Sequence, residues 1–211
     1  MRQSPAVPVR CYDCRPGELM AKLSFLTGTG DATATYYMVE MDYPHKTAAE
    51  RSAFDAFYQR HIDMLLTIPG FLTGQRFHCP EATRAPFLAL YRQTGPEVLA
   101  SEAYTSKAGR MSVEADFRVN MTNWDRNLVQ GPEGSGAPDL AFDMDEWMTL
   151  IDRLTDDAPP LPDEFVPLEV IGLDRTIAQR GAALGNKVPS DVRGGWEVRV
   201  WRPIHPVRRA G

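Results

Sequence analysis

Between residues 33 and 93 the hydrophobic period of the chain switches from two to 3.6 and back, and this switch restricts the fold more than any other feature. TATYYMVEMD (33–42) is β-branched, aromatic and alternating. It predicts a strand with Tyr37, Val39 and Met41 on one face and Tyr36, Met38 and Glu40 on the other. A helix follows. Thr47 with Glu50 three residues on has the form of a capping box, and Pro69-Gly70 stops the apolar repeat that runs to Ile68. FLTGQRFH (71–78) and APFLALYRQ (85–93) predict two more strands, joined by a break short enough for an antiparallel hairpin. Gly95-Pro96-Glu97 opens a second helix, over 96–106, with Pro in its first turn. A fourth strand is expected within 117–130.

Strand–helix–strand–strand–helix–strand is the ferredoxin-like order. The fold class is therefore α+β, with an antiparallel sheet and helices on one face. Composition divides the rest. Residues 1–31 read as an irregular leader, 32–130 as the ferredoxin-like domain, and GPEGSGAPDLA (131–141) as a linker. In 142–205, FDMDEWMTLIDRLTDD predicts an amphipathic helix: Met144, Trp147, Met148, Ile151 and Leu154 recur at helical spacing, and Asp143 with Glu146 forms a cap. EFVPLEVIGL (164–173) predicts a strand, DRTIAQRGAALG a short helix, and WEVRVWR (196–202) a last strand. Helix, strand, helix, strand repeats the first half without its opening strand and one hairpin strand. A decayed second ferredoxin-like repeat accounts for this, and an unrelated extension is the alternative. Residues 206–211 read as a loose basic tail carrying Arg208 and Arg209.

Charge and cysteine content set bounds on function. The net charge of -5 hides an acidic block at 131–174, with 12 acidic residues against one basic, and a basic block at 175–211, with eight against two. That pattern excludes a strongly basic nucleic-acid binder. No apolar run is long enough for a membrane helix or a signal-peptide core, so a cytoplasmic protein with no membrane partner is expected. Cys11 and Cys14 form a lone CxxC in the Pro-rich leader. Only His78-Cys79 could complete a zinc site, at an unfitting distance, so no metal is expected.

Candidate chemistry centres on the first helix. On a wheel, Phe54, Phe57, Tyr58, His61, Met64, Leu65 and Ile68 share one face, with His61 near its middle, while Asp55, Gln59, Arg60 and Asp63 face solvent. A buried imidazole needs a partner, and Tyr58, Tyr37, Arg76 and Tyr91 are the candidates. Strand parity sets Arg76 with His78 on one face, and Phe71, Thr73 and Phe77 on the other. His45, His78 and His205 are expected at the surface. Trp124-Asp125-Arg126 could place a carboxylate beside an indole, or simply end a strand. GxSxG, HExxH and P-loop patterns are absent.

The stretch YYMVEMDYP…FDAFYQRHIDMLLTIPGFLTGQRFH…PFLALYRQ resembles the dimeric α+β barrel superfamily in its aromatic strand, its Tyr58-x-x-His61 helix, Ile68-Pro69-Gly70-Phe71, the Arg76 strand and Leu88-x-Leu90-Tyr91. The resemblance covers roughly residues 34–105. It implies a ligand pocket between helix and sheet, lined by His61. A sheet covered on one face leaves an apolar face to bury, and because the second half reads as two strands short, a homodimer packed sheet to sheet is expected. The expected function is a small enzyme that needs no cofactor. It would act on a hydrophobic or aromatic small molecule by proton transfer, as an isomerase, cyclase or lyase. His61 would be the catalytic acid/base, and Tyr37, Tyr58, Arg76 and Tyr91 would hold the substrate. A non-catalytic ligand-binding barrel and a haem-binding barrel are the alternatives.

Overall fold

The structure is a computed structural model that describes residues 34–81, 85–108, 113–131, 140–184 and 194–211. The leader with Cys11 and Cys14, and most of the 131–141 linker, lie outside the described residues.

The first half forms as its pattern predicts. β1 (Thr35–Asp42), α1 (Ala48–Leu66), β2 (Phe71–His78), β3 (Phe87–Gln93) and β4 (Thr122–Gln130) follow in order. The capping box closes in both directions: the Glu50 backbone N–H donates to Thr47 Oγ1 at 3.1 Å, and the Thr47 N–H to Glu50 Oε2 at 3.3 Å. The helix expected over 96–106 is broken. A 3₁₀ turn, Pro96–Ala100, gives way to a single α turn, α2 (Glu102–Thr105), because Ser101 is extended and caps the new turn through Oγ. A further turn, α3 (Ala115–Arg118), precedes β4.

The second half departs from its pattern. The helices expected over 142–157 and 174–185 are strands where they are regular at all, β5 (Met148–Arg153) and β7 (Arg180–Leu184), while β6 (Val166–Leu173) and β8 (Trp196–Pro203) form where strands are expected. Asp143 and Glu146 do bond as predicted, with the Asp143 N–H on Glu146 Oε2 at 3.2 Å, but they form only one turn. β5 is paired on both edges, by β7 and β8, and that non-local pairing outweighs a short helical period. At Gly181 a Cβ would lie 2.6 Å from Leu161 Cδ1 and 2.9 Å from Ile151 Cγ2, so β7 packs where a side chain has no room. The two strands expected to be missing are present.

All pairings among the described strands are antiparallel. Their order is β3-β1-β4-β6-β7-β5-β8-β2, and β2 pairs back onto β3, closing a barrel of eight strands. This removes the ground for the expected homodimer, because the chain supplies its own second sheet. β9 (Arg208–Arg209) pairs with Thr73 and Gly74 of β2, and Arg208 reaches Gln59 and Asp63 of α1. The basic tail is thus docked rather than loose. Gln59 and Asp63 form its landing site.

Three cores result. The barrel interior is filled from every strand, by Tyr36, Met38, Phe77, Leu90, Val129, Leu150, Leu168, Ala182 and Trp201 among others. A second core lies between the outer face of the first sheet and α1. A third lies under the Pro-rich 154–165 segment, where Ala158 and Phe165 cover Ile151, Ala183 and Trp196. Among the described residues no helix is long and apolar enough to cross a membrane.

One end of the interior holds four buried charges. Arg180 donates to Glu40 at 2.5 Å and to Asp152 at 2.6 Å; Arg199 donates to Asp152 at 2.5 Å and also to Glu40. Burial alone would raise both carboxyl groups and lower both guanidiniums, but the mutual pairing wins: Glu40 and Asp152 are lowered, Arg180 and Arg199 raised. Carboxylates depressed on folding stabilise fully above their unfolded value, about pH 4, and lose that contribution as pH falls through the folded value. Arg180→Met leaves two buried carboxylates facing one cation. We expect it to lower unfolding free energy in urea by roughly 3–5 kcal/mol. An unchanged urea midpoint would refute the role given to this quartet.

Candidate functional site

The outer face of the first sheet is aromatic by alternation. Tyr37 and Tyr91 are register partners on β1 and β3, and their rings stack at 5.7 Å. Tyr104 of α2 meets Tyr37 edge-on at 6.5 Å. α1 lies over them. Its inward residues are Phe54, Phe57, Tyr58, Ile62 and Leu65, and Ile62 seats where β2 has Gly74: a Cβ there would lie 2.8 Å from Ile62 Cγ2. This seat turns the apolar face toward Ile62, so His61 sits at the margin of the face, half-buried, rather than at its middle. The sequence wheel had left Ile62 out.

A small pocket lies here, lined by Tyr37, Val39, Tyr58, His61, Leu65, Tyr91, Tyr104 and Trp124. Its walls bound about 290 Å³ including the open mouth, and most of that space is too narrow for solvent. There is room for a single water as the side chains stand. Four of the five sequence-predicted site residues therefore come together: His61, Tyr37, Tyr58 and Tyr91.

Arg76 does not join them. It is fully buried behind the wall, with Nη1 on Asp55 Oδ1 at 2.8 Å and its guanidinium 4.4 Å from the Tyr58 ring centroid and 5.0 Å from that of Phe54. Asp55, expected in solvent, turns in to pair with both Arg76 and Arg51. Parity also shifts at the start of β2. An irregularity between Phe71 and Thr73 puts Phe71 on the helix side beside Tyr91 and Tyr104. His78 and His205 are half-buried rather than exposed.

Burial governs the ionisation of the site. It lowers His61 to about 4, so the imidazole is neutral at pH 7. Burial also raises the phenols of Tyr37, Tyr58 and Tyr91, with neighbouring tyrosines adding to it, so all three stay protonated. The charges acting on these phenols are cationic: Arg126 on Tyr37, and Arg76 on Tyr58 and Tyr91. Tyr91 Oη and Trp124 Nε1 are buried with no hydrogen-bond partner among the described residues.

Tyr104 lines the pocket with no sequence signal to mark it, and Trp124, for which the sequence leaves a pocket and a strand end both open, lines it too. Asp125, the carboxylate set beside that indole in the sequence, points to the other side of the sheet and accepts from Thr176 Oγ1 at 2.5 Å. Arg126 returns to the outer face, opposite Val39 in the β1–β4 register. Asp174 holds it: the Arg126 backbone N–H, Nε and Nη2 donate to that carboxylate at 2.9, 3.2 and 3.0 Å. Leu173 and Arg175, on either side of Asp174, both have left-handed φ, at 68° and 48°. Among the described residues no group of three His, Cys, Asp or Glu could hold a metal ion.

No family model and no curated protein matches the chain. Two solved structures are similar to it. One is described as an anthrone oxidase-like protein, at 11% identity and a TM-score of 0.47, covering 86% of this chain and 94% of that one. The other is described as a putative chlorite dismutase, at 9% identity and 0.48, covering 82% and 96%. At these values neither likeness carries an argument about chemistry.

The depressed His61 value has a direct check. In an NMR titration of the folded protein, the His61 ring signals should hold their neutral positions down to about pH 5 and move only near pH 4. A midpoint near 6.5 would mean that the imidazole is hydrated.

Proposed function

We propose that this chain is a one-chain barrel of two ferredoxin-like halves, built in the manner of the dimeric α+β barrel superfamily. We further propose that its first half is a small proton-transfer enzyme for a hydrophobic or aromatic molecule. The strand order supports the first part. β2-β3-β1-β4 in one half recurs as β6-β7-β5-β8 in the other, and the joins are β4 with β6 and β8 with β2. Those joins are equivalent under exchange of the halves. Glu40 and Asp152 occupy matching places: one pairs across to Asp125, the other to Glu197.

One observation carries the second part. A neutral imidazole borders the same apolar pocket as three protonated phenols. Such a pocket can take a proton from a carbon next to a carbonyl, hold the enolate oxygen on a phenolic O–H, and return the proton elsewhere. A buried imidazole is a weak base in the empty site. It gains basicity as the enolate forms, because the new negative charge stabilises imidazolium and offsets the burial cost. A ring-sized ligand requires one wall to move. Trp124, part-buried where most of the lining is buried, is the side chain placed to swing.

The test needs no known product. A panel of aryl ketones is incubated with the protein in D₂O, and exchange at the α-carbon is followed by mass spectrometry. We expect wild-type protein to exchange at least one panel member, and His61→Gln to slow that exchange by about 10²–10⁴-fold with the fold intact. Full exchange activity in His61→Gln would remove the catalytic role.

A further inference from the structure

We propose that the ligand carries an anionic head of carboxylate type, and that Arg126 recognises this head with the guanidinium edge that Asp174 leaves free. The inference rests on the pocket reading above and adds the class of ligand to it.

The geometry is specific. Arginine has five N–H donors in a planar fork. Asp174 takes the Nε and Nη2 side at 3.2 and 3.0 Å. The Nη1–Nη2 edge has no partner among the described residues, and two parallel donors on one edge match the two oxygens of a carboxylate. Arg126 stands next to residues of the pocket wall. It is 29% exposed, it stands opposite Val39 in register, and it shares the outer face of β4 with Trp124; both of these neighbours line the pocket. Its position is fixed on two sides, since Asp174 also donates its backbone N–H to the Arg126 carbonyl at 2.9 Å.

The pocket itself favours an acceptor-rich ligand. Its lining has no acidic residue. Its two unpartnered buried groups, Tyr91 Oη and Trp124 Nε1, can both donate. Arg76 lies behind the Tyr58 ring. A ligand that is apolar in body and anionic at one end satisfies the wall, the orphan donors and the free fork together. Asp174 is then a positioning residue contributed by the second half. It holds the fork in one orientation and touches no ligand.

Matched pairs of probes test this by calorimetry at fixed salt: acetate, benzoate and 2-naphthoate, each against its neutral amide, with phenyl phosphate as a tetrahedral anion. We expect at least one carboxylate to bind tenfold or more tightly than its amide. Arg126→Gln should abolish that preference, and Arg126→Lys, which keeps the charge without the fork, should retain part of it. Circular dichroism of each variant confirms the fold, and Arg126→Lys carries the test if Arg126→Gln does not fold. Equal binding of acid and amide overturns the anionic head, as does a preference that survives Arg126→Gln. If such equal binding is still weakened by Tyr91→Phe, the pocket reading stands without it. Phenyl phosphate binding more tightly than benzoate overturns the carboxylate assignment. No binding of any probe at millimolar concentration overturns the inference and the pocket together.

Discussion

β1 is buried on both faces, and the placement of everything else follows from that. Every residue from Thr35 to Met41 is buried. Successive side chains therefore enter two separate interiors. Tyr37, Val39 and Met41 face α1 and the pocket, while Tyr36, Met38 and Glu40 face the inside of the barrel. A slip of one residue would exchange the two sets, sending Glu40 into an aromatic wall and Tyr37 among the charges. The buried quartet works against such a slip. Glu40 reaches Arg180 on β7 and Arg199 on β8 from the opposite half of the barrel, and any register that separated them would strand a charge in the interior. The register that seats Tyr37 in the pocket is thus fixed by an ion pair on the other side of the same strand.

The first half was legible because its signals are local. Strand alternation, a capping box and a Pro-Gly stop each lie within a few residues of the structure they specify, and β1, α1, β2 and β3 form where those signals are. The second half was misread because its decisive contacts are distant. MTLIDR satisfies a helical spacing and a strand alternation equally well. What settles it is pairing with β7 and β8, about thirty and fifty residues away in sequence. Ala182 and Ala183 suggest a helix by propensity. In place Gly181 lets β7 pass close to Leu161 and Ile151, where a larger side chain would not fit.

The candidate site was legible to the same depth. Tyr37, Tyr58, His61 and Tyr91 follow from periodicity, since each lies on the face of an element that meets the sheet–helix interface. Arg76 also lies on that face, but parity says nothing about which rings stand in front of a side chain. Tyr58 and Phe54 cover its guanidinium, and Asp55 bends in to meet it. For Trp124 the sequence leaves a pocket and a strand end both open, because a strand on the far edge of the first sheet has no sequence marker tying it to α1. Asp174 had no signal at all: it is 48 residues from Arg126, and only the barrel brings them together.

The two halves share a strand order and differ in what covers their outer faces. Over the first sheet α1 stands on aromatic rings, which leaves a gap edged by polar atoms. Over the second lies the Pro-rich 154–165 segment, and Leu161 and Phe165 press onto the bare backbone of Gly181. The barrel interior is no alternative. Trp201, Tyr36 and Met38 fill it, and Glu40 and Asp152 are paired with Arg180 and Arg199. The second half therefore contributes closure, which leaves the first sheet without a free edge, together with Asp174, which reaches back to hold Arg126 on the outer face of β4.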